Sequence, residues 1–521
     1  MPADTAFCET DLNDYARRIL MSRVYDVASV TPLDPLPRLS AHLGNTVLLK
    51  REDLQDVFSF KIRGAYNKMA NLSPEMLARG VICASAGNHA QGVALAARKL
   101  GIPATIVMPA TTPDIKVAGV TARGGKAVLH GNSFDEAYAH AQMLCARDQL
   151  TFVHPYDDPD VIAGQGTIGA EILRQHADPI EAIFVPVGGG GIAAGIAAFV
   201  KFLRPEIKVI GVEPDDAASM KAAIEAGERV ILDRAGLFAD GVAVRQAGAE
   251  TFRICRACLD AVISVTGDEI CAAIKDIFDE TRSIAEPAGA VALAGLKRYA
   301  AEHALSGKTL VAINSGANVN FDRLRYIAER AEVGERREAL IAVTIPEETG
   351  SYRRFIQSLG GRAITEFNYR YSGDPDGVAH VFVGVALRQG EAEKRHLIKT
   401  LLEDGYGVED LSDNEIAKSH VRYMVGGRVR GLDDEVLYRF QFPEYPGALL
   451  KFLDRLGQEW SISLFHYRNH GAEYGRVLAG LIVPEKDHAR FEAALLALGY
   501  PASRETDNPA FRLFLDGRSL G

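Results

Sequence analysis

The chain has 521 residues, of which 47% are hydrophobic, and its formal net charge at pH 7 is −10. This length predicts roughly three to four domain-sized units, and the hydrophobic content is sufficient for ordinary soluble cores. The acidic balance argues against a nucleic-acid partner and against an anionic-membrane partner. No apolar run reaches the roughly 18 residues that a transmembrane helix requires, and the first residues lack the pattern of a signal peptide.

The six cysteines are sparse for a chain of this length, which indicates reduced thiols and a cytoplasmic protein. Cys255 and Cys258 form a CxxC pair, but no second pair lies nearby in the sequence. We therefore interpret both cysteines as packing residues and not as a zinc or redox site.

The first 160 residues alternate between short apolar strands and helical patterns, with polar loops between them. After an N-terminal helix and a proline-rich approach, strands are predicted at 46–50, 80–84, 102–108, 127–130 and 152–154, and helices at 65–72, 93–100, 117–119 and 135–148. Such alternation is typical of a parallel sheet covered by helices.

Lys61 lies in the stretch Ser59-Phe60-Lys61-Ile62-Arg63-Gly64-Ala65, between apolar neighbours. A lysine that is withdrawn from water loses its proton more easily, and the neutral amine is a nucleophile toward aldehydes such as pyridoxal phosphate. The alternative is an exposed lysine at the start of a helix, because most lysines are exposed.

The loop from Ser85 to Gly92 follows a buried-strand pattern and precedes a helix. Ligands bind at the carboxyl ends of strands in open α/β sheets. Small residues there let backbone amides approach an anion, and the following helix contributes a positive field. The alternative is a polar turn between strand and helix.

Four consecutive glycines, Gly188 to Gly191, separate a strand at 182–187 from a small-residue helix at 192–203. Glycine destabilises regular structure, but a run of glycines lets the backbone fold around a phosphate with its N–H groups pointing inward. No Lys-Ser/Thr follows, so the run is not a nucleotide P-loop. A generic glycine loop is the alternative.

Further along lie a strand at 209–213, a small-residue segment at 239–244, a helix start at 284–290 and a strand at 309–313. This last strand ends in Asn314-Ser315-Gly316-Ala317-Asn318. In isolation, a serine at the end of a strand is most simply a helix cap.

Six motifs occur in order along the chain: SFKIRGA, SAGNHAQG, GGGG after a strand, ADGVAV, EPAGA and SGANVNFDRLR. With them, the chain resembles the fold type II pyridoxal phosphate (PLP) enzymes, and most closely the biosynthetic threonine deaminases. The resemblance implies a PLP-dependent catalytic domain of two open α/β subdomains at residues 1–330. It also implies the conversion of L-threonine, and of L-serine, to a 2-oxo acid and ammonia, with 2-oxobutyrate from threonine as the first intermediate toward isoleucine.

The same resemblance implies roles for individual residues. Lys61 carries the covalent imine with the cofactor and acts as the general base, and Ser315 bonds the pyridine nitrogen; these two are the catalytic residues. Asn88 bonds the phenolic oxygen and Gly241 lies against the cofactor. The phosphate lies on Gly188, Gly189, Gly190 and Gly191, and the substrate carboxylate on Ser85, Ala86, Gly87, Asn88 and His89.

We expect no metal. Related serine racemases bind a cation near the motif that begins here at Glu213, but this chain has Ser219 where an aspartate ligand would lie.

The C-terminal part contains an internal repeat with an offset of 97 residues, in which 345–350 returns as 442–447. A charged linker helix is predicted at 328–337, before the first copy. The pattern of each copy predicts the order βαββαβ, an α+β ferredoxin-like fold. The repeat resembles the paired ACT-like regulatory domains of long-form threonine deaminases, which implies domains at 338–421 and 434–515.

This second resemblance implies isoleucine as inhibitor, valine as opposing effector and a homotetramer. Gly350 and Gly447 open the turns, so that the backbone there can meet an amino acid, and Tyr369 and Tyr467 lie on aromatic strands suited to an aliphatic pocket. The alternative is that the repeat serves only assembly.

Two other functions are alternatives to this one. One is an L-serine dehydratase or another fold type II lyase or racemase. The other is a catalytically silent amino-acid sensor, which would lack Lys61 or the glycine run; this chain lacks neither.

Overall fold

A computed structural model describes residues 7–236, 238–346, 351–368, 378–423, 434–443, 451–452, 455–456, 459–460, 462–468 and 474–515. The chain divides into two compact units, Met1–Asn320 and Phe321–Gly521. No helix among these described residues is both long and apolar enough to cross a membrane.

The larger sheet of the first unit has six strands in the order β1-β2-β10-β7-β8-β9. Strand β1 is antiparallel to β2 and the other neighbours are parallel. Central strands are buried on both faces, which explains their nearly continuous apolar sequence. The strands are β1 (Leu33–Pro35), β2 (Thr46–Arg51), β7 (Ala182–Pro186), β8 (Lys208–Pro214), β9 (Ala261–Val265) and β10 (Thr309–Asn314).

A second, four-stranded parallel sheet has the order β5-β4-β3-β6. Its strands are β3 (Val81–Ala84), β4 (Ala104–Met108), β5 (Lys126–Leu129) and β6 (Thr151–Phe152). The two open parallel sheets confirm the α/β class predicted from the alternating pattern.

Helices pack against both sheets, and small residues let some of them approach closely. A Cβ on Gly195 would lie 2.4 Å from the Ile162 carbonyl oxygen of a neighbouring helix. The helices are α1 (Glu9–Leu20), α2 (Pro37–Leu43), α3 (Lys61–Ala70), α4 (Pro74–Arg79), α5 (Asn88–Leu100), α6 (Asp114–Thr121), α7 (Phe134–Asp148), α8 (Pro159–Gln175), α9 (Gly191–Leu203), α10 (Ser219–Ala226), α11 (Ala249–Cys258), α12 (Gly267–Thr281) and α13 (Pro287–Glu302).

Three helices begin earlier than the apolar pattern predicts. Helix α3 starts at Lys61 and not at Ala65, α5 starts at Asn88 and not at Val93, and α9 starts at Gly191. The first turn of a helix leaves its N–H groups without intrahelical partners. Polar and small residues therefore occupy these turns, and their chemistry conceals the helical period from a sequence pattern.

A buried ion network ties α3 to β2 and α8. Arg63 bonds Glu52 at 2.7 Å and Glu171 at 2.6 Å, and Lys50 bonds Glu171 at 2.6 Å. All four side chains are almost fully buried. Burial alone would raise the pKa of Glu171, but Arg63 and Lys50 hold it below its usual value. This network fixes the start of α3, two residues from Lys61.

The second unit contains two modules of the same topology. In each, four strands pair only antiparallel neighbours, with strand orders β12-β13-β11-β14 and β16-β17-β15-β18. This confirms the ferredoxin-like prediction. The strands are β11 (Glu338–Pro346), β12 (Ile364–Asn368), β13 (Val378–Ala386), β14 (Gly407–Asp410), β15 (Glu435–Pro443), β16 (Ile462–Arg468), β17 (Tyr474–Ile482) and β18 (Ala502–Arg504).

Helix α14 precedes the first module, and the described helices of the modules follow it. They are α14 (Arg323–Gly334), α15 (Ser351–Ser358), α16 (Gly390–Glu403), α17 (Glu415–Ser419), α18 (His488–Leu498) and α19 (Pro509–Phe514). The linker helix predicted at 328–337 thus starts five residues earlier.

The modules resemble each other in detail, and a shared apolar cluster lies between their separate cores. Asn414 caps α17, Asn508 caps α19, and the two amides bond each other at 3.0 Å. Between the modules, apolar side chains form a single buried cluster that includes Leu340, Phe382, Leu411, Leu437, Leu478 and Phe511. The repeat is therefore also a structural pair.

The buried network generates a stability prediction. Arg63→Met leaves the carboxylate of Glu52 without its cation, so we expect the free energy of unfolding to fall by about 3–5 kcal/mol. Arg147→Met is the matched control, because its pair with Asp148 is 64% exposed at the arginine and should contribute at most about 1 kcal/mol. Urea denaturation followed by circular dichroism measures both, and equal small losses would contradict this account.

Candidate active site

Lys61 is the first residue of α3, and its Nζ donates a hydrogen bond to the Pro155 carbonyl at 2.9 Å. The ring of Phe60 lies 5.2 Å from the same nitrogen. Withdrawal from water lowers the pKa of Lys61 to about 8, and the nearby carboxylate of Glu286 partly offsets this effect. The neutral, nucleophilic fraction of this amine near neutral pH is therefore much larger than that of an exposed lysine.

The glycine run Gly188–Gly191 links β7 to α9 and is buried. None of its four backbone N–H groups donates a hydrogen bond to any described residue. Buried N–H groups are nearly always paired, and leaving one unsatisfied costs about 1–3 kcal/mol. Together with the N-terminal field of α9, these donors form a site for an anion.

The surroundings of the run exclude every residue except glycine. A Cβ on Gly189 would lie 2.3 Å from the ring of Tyr156, and one on Gly188 would lie 2.9 Å from the backbone of Val242. Gly190 has φ = +95°, which other residues rarely adopt. The Thr251 hydroxyl donates to the Gly189 carbonyl at 2.6 Å, so the carbonyl is held and the N–H groups stay available.

The Ser85–His89 segment leads from β3 into α5. Ser85 Oγ accepts a hydrogen bond from the Gly87 N–H at 3.3 Å. Burial, with the charge of Lys61 as a second cause, lowers the pKa of His89 to about 3, and its Nε2 contacts the Val153 carbonyl at 2.8 Å. His89 lies in the first turn of α5 and is neutral, so the N–H groups of that turn are the donors available to a carboxylate.

Asn88 lies between two side chains from a different part of the chain. Its Nδ2 donates to Glu286 Oε1 at 2.6 Å, and its Oδ1 accepts from Asn318 Nδ2 at 2.6 Å. A Cβ on Gly241 would lie 3.9 Å from Asn88 Nδ2. The SAGNHAQG, ADGVAV, EPAGA and SGANVN motifs therefore meet at one place.

Ser315 follows β10 and is buried, with its hydroxyl donating to the Ala288 carbonyl at 3.2 Å. The Ser315 carbonyl accepts from the Phe60 N–H at 3.2 Å, and Ser59 pairs with Gly316. These backbone contacts hold Ser315 next to the segment that carries Lys61.

The residues present fit PLP. A desolvated amine suits its aldehyde, four buried N–H donors suit its phosphate, and the Asn88 amide and the Ser315 hydroxyl are polar groups suited to its ring substituents. All predicted catalytic, cofactor and substrate residues lie in the first unit. Ser85–His89, Gly188–Gly191 and Ser315 follow strands β3, β7 and β10, whereas Lys61 begins α3 and Gly241 lies in a short 3-10 turn, Asp240–Val242.

The structure describes only one of the four predicted effector residues. Gly350, Tyr369 and Gly447 lie outside the described residues. Tyr467 lies in β16, where it pairs with Val477 of β17.

Glu213, which begins the motif where no metal is expected, accepts the Met220 and Lys221 N–H groups at 2.8 and 2.9 Å. Burial raises the pKa of Glu213 to about 7. Within the described ranges, no three acidic, histidine or cysteine side chains converge on a point suited to a metal ion.

Sequence reasoning overlooked several contacts of the site. Pro155 and Tyr156 follow a short strand and belong to none of the motifs. Thr251 lies in the first turn of α11 and is also outside the motifs. Glu286 and Asn318 lie inside two of the quoted motifs, so a signal existed, but the pattern does not reveal that both bond Asn88.

Two family models match the chain, and the gap between their matches lies at the boundary between the two compact units. Residues 24–316 match the model described as "Pyridoxal-phosphate dependent enzyme". Residues 329–421 and 426–515 match the one described as "C-terminal regulatory domain of Threonine dehydratase".

Similar curated proteins cover nearly the whole chain. "L-threonine dehydratase biosynthetic IlvA" of Burkholderia multivorans is 57% identical over 96% of this chain and 99% of its own length. The protein of the same name from Escherichia coli is 55% identical over 97% of each chain.

Solved structures resemble part of the chain. Processed threonine deaminase isoform 2 of Solanum lycopersicum is 52% identical, with a TM-score of 0.62, and the match covers 63% of this chain and 95% of that one. Maize serine racemase is 32% identical, with a TM-score of 0.56, over 60% of this chain and 95% of that one.

The site generates a prediction for Lys61. In Lys61→Ala the visible absorbance of the bound cofactor should vanish and turnover should fall at least about a hundredfold, because both the nucleophile and the base are lost. Lys99→Ala is the matched control, since Lys99 is an exposed lysine on α5.

The same lysine makes cofactor capture dependent on pH. Only the neutral amine attacks an aldehyde, so the rate of capture by the apoprotein should rise as pH increases through about 8. Stopped-flow absorbance measures this rate of capture. A rate that falls as pH rises, or turnover retained by Lys61→Ala, would rule out Lys61 as the group that captures the aldehyde.

Proposed function

Because the chain belongs to the family of biosynthetic threonine dehydratases, we propose that the site around Lys61 performs the reaction of that family. The enzyme is a PLP-dependent lyase that converts L-threonine to 2-oxobutyrate and ammonia in isoleucine biosynthesis. The observation that carries the assignment of residues is the desolvated amine of Lys61 in one domain with four buried glycine N–H donors.

The residues have distinct tasks in this proposal. When bound, PLP supplies a conjugated ring that withdraws electrons from the substrate Cα. The Gly188–Gly191 N–H groups hold its phosphate, and Asn88 and Gly241 position its ring. The Lys61 nitrogen takes the proton from Cα. The β-hydroxyl leaves as water, and hydrolysis of the released enamine gives 2-oxobutyrate and ammonia.

Two further groups set specificity within the same proposal. The Ser85–His89 segment, through the first turn of α5, binds the substrate carboxylate. In this proposal the Ser315 hydroxyl turns its one hydrogen from the Ala288 carbonyl to the unprotonated ring nitrogen, and it does not hold a proton on that nitrogen as a carboxylate would. A neutral ring is a weaker electron sink, which favours prompt elimination over transamination.

We propose that isoleucine inhibits the enzyme and that valine opposes isoleucine. The match of 329–421 and 426–515 to a threonine dehydratase regulatory domain supports amino-acid effectors. In this proposal Gly350, Tyr369, Gly447 and Tyr467 contact the effector. The catalytic domain spans 1–330, the regulatory domains span 338–421 and 434–515, and the active form is a cytoplasmic homotetramer.

A charged cluster joins α14, which leads out of the catalytic domain, to both regulatory modules. Glu415 on α17 accepts two hydrogen bonds from Arg330 on α14, at 2.9 and 2.8 Å, and a third from Arg476 on β17. Both guanidinium groups also lie over the ring of Tyr326, at 5.0 and 4.9 Å.

The electrostatics make Glu415 the centre of this cluster. Burial would raise its pKa, but Arg330 and Arg476 hold the pKa well below the usual value, so Glu415 stays ionised. One carboxylate thus connects three elements of the second unit, and we propose that it transmits effector binding to α14.

Assays of substrate and effector test the function. We expect 2-oxobutyrate formation from L-threonine to exceed pyruvate formation from L-serine, with isoleucine inhibiting and valine relieving the inhibition. The control is D-serine, which a racemase would form or consume. A preference for serine, or racemisation without elimination, would favour the alternative lyase or racemase, and indifference to isoleucine would remove the regulatory proposal.

The coupling role of Glu415 has its own test. Glu415→Gln loses the charge that holds both arginines, so inhibition by isoleucine should weaken roughly fivefold or more while basal turnover stays unchanged. Isoleucine binding, followed by the fluorescence of Trp460, should persist. Trp460 is the only tryptophan, and it packs against Phe491 at 4.9 Å in the second module.

Glu393→Gln is the matched control, since Glu393 pairs with Arg362 at 2.8 Å inside the first module alone. Normal inhibition in Glu415→Gln, or an equal loss in both variants, would show that the cluster does not carry the signal.

A further inference from the structure

The amide of Asn88 can adopt one orientation only. The Val57 carbonyl oxygen accepts hydrogen bonds and never donates, so the Asn318 atom 2.8 Å from it is the nitrogen. The Asn88 oxygen then faces Asn318, whose Nδ2 donates to it at 2.6 Å. The Asn88 nitrogen is therefore the atom that faces Glu286, and it donates to Glu286 Oε1 at 2.6 Å.

This chain of bonds leaves one donor for a ligand. The Asn88 nitrogen has two N–H groups. One of them bonds Glu286, and the other has no acceptor among the described residues. Asn88 is partly exposed, Glu286 is buried, and Gly241 approaches both closely, so a planar ligand beside Gly241 meets an N–H donor and not the amide oxygen.

We propose that Glu286 and Asn318 are positioning residues that present the Asn88 amide to the phenolic oxygen of PLP as a donor, with Glu286 also supplying negative charge beside the Lys61 nitrogen. The inference rests on the proposed function of the site. It assigns tasks to two residues outside the predicted catalytic and cofactor set.

The charged surroundings of Lys61 define what Glu286 does. The titratable groups that interact with the Lys61 nitrogen are Glu286, His89 and His154. Burial lowers the pKa values of both histidines, so these rings are neutral near pH 7. Glu286 is therefore the charged neighbour in this set, and its carboxylate favours the protonated form of the Lys61 nitrogen.

Three variants separate the two tasks. Glu286→Gln keeps an oxygen that accepts from Asn88 but removes the charge, so the pH at which the visible absorbance of bound PLP changes should fall, with PLP affinity reduced less than about tenfold. Asn318→Ala keeps the charge but frees the Asn88 amide to turn over. Its PLP affinity should fall about tenfold or more, with little shift of the spectral transition. Glu286→Ala should show both effects.

Asn45→Ala is the matched control for a buried asparagine. The Asn45 side chain donates to the Leu43 and Leu305 carbonyls and accepts from the Lys308 N–H, and it lies outside the motifs. Its loss should lower thermal stability and leave both the PLP affinity and the spectral transition unchanged.

The measurement is titration of each apoprotein with PLP, followed by a pH titration of the visible absorbance and by kcat/KM for threonine. If wild-type protein fails to bind PLP, the proposed function is wrong. If wild-type protein binds PLP and the variants differ from it only in thermal stability, as Asn45→Ala should, the positioning roles are wrong.

Discussion

The structure of the first unit depends on four backbone N–H groups that are buried and make no hydrogen bond within the described chain. Protein interiors rarely tolerate such groups. An anion bound at Gly188–Gly191 would satisfy several of these donors at once, and the N-terminal field of α9 would favour it. In the proposed function, this anion is the phosphate of an aldehyde that Lys61 captures.

The packing around the glycines shows how strictly this constraint is imposed. Tyr156, Val242 and Thr251 come from three separate segments and press against the run or hold its carbonyl groups. On the other side of the site, Arg63 anchors α3 through a buried network two residues from Lys61. One end of the proposed cofactor site is thus the backbone of Gly188–Gly191, and the other is Lys61 at the start of α3. Residues distant in sequence hold both ends in place.

The sequence predicted the fold class well, because strand and helix periods are local properties of the chain. Regular alternation revealed the parallel sheets, and the offset of 97 residues revealed the two α+β modules. The apolar pattern misplaced the starts of α3, α5 and α9, since the polar and small residues of their first turns conceal the helical period. The bonds of Glu286 and Asn318 to Asn88 were not predictable, because they join segments about 200 residues apart. The same holds for Glu415, whose partners come from two other elements of the second unit.

The central claim is that backbone donors at Gly188–Gly191 grip the anionic end of the cofactor. Comparing the affinities of the apoprotein for pyridoxal phosphate and for pyridoxal tests it directly, since both carry the same aldehyde and ring but only one carries the phosphate. Because hydrogen bonds to a charged group contribute about 1.5–3 kcal/mol each, the account predicts that pyridoxal phosphate binds at least about a hundredfold more tightly. Equal affinities would contradict it.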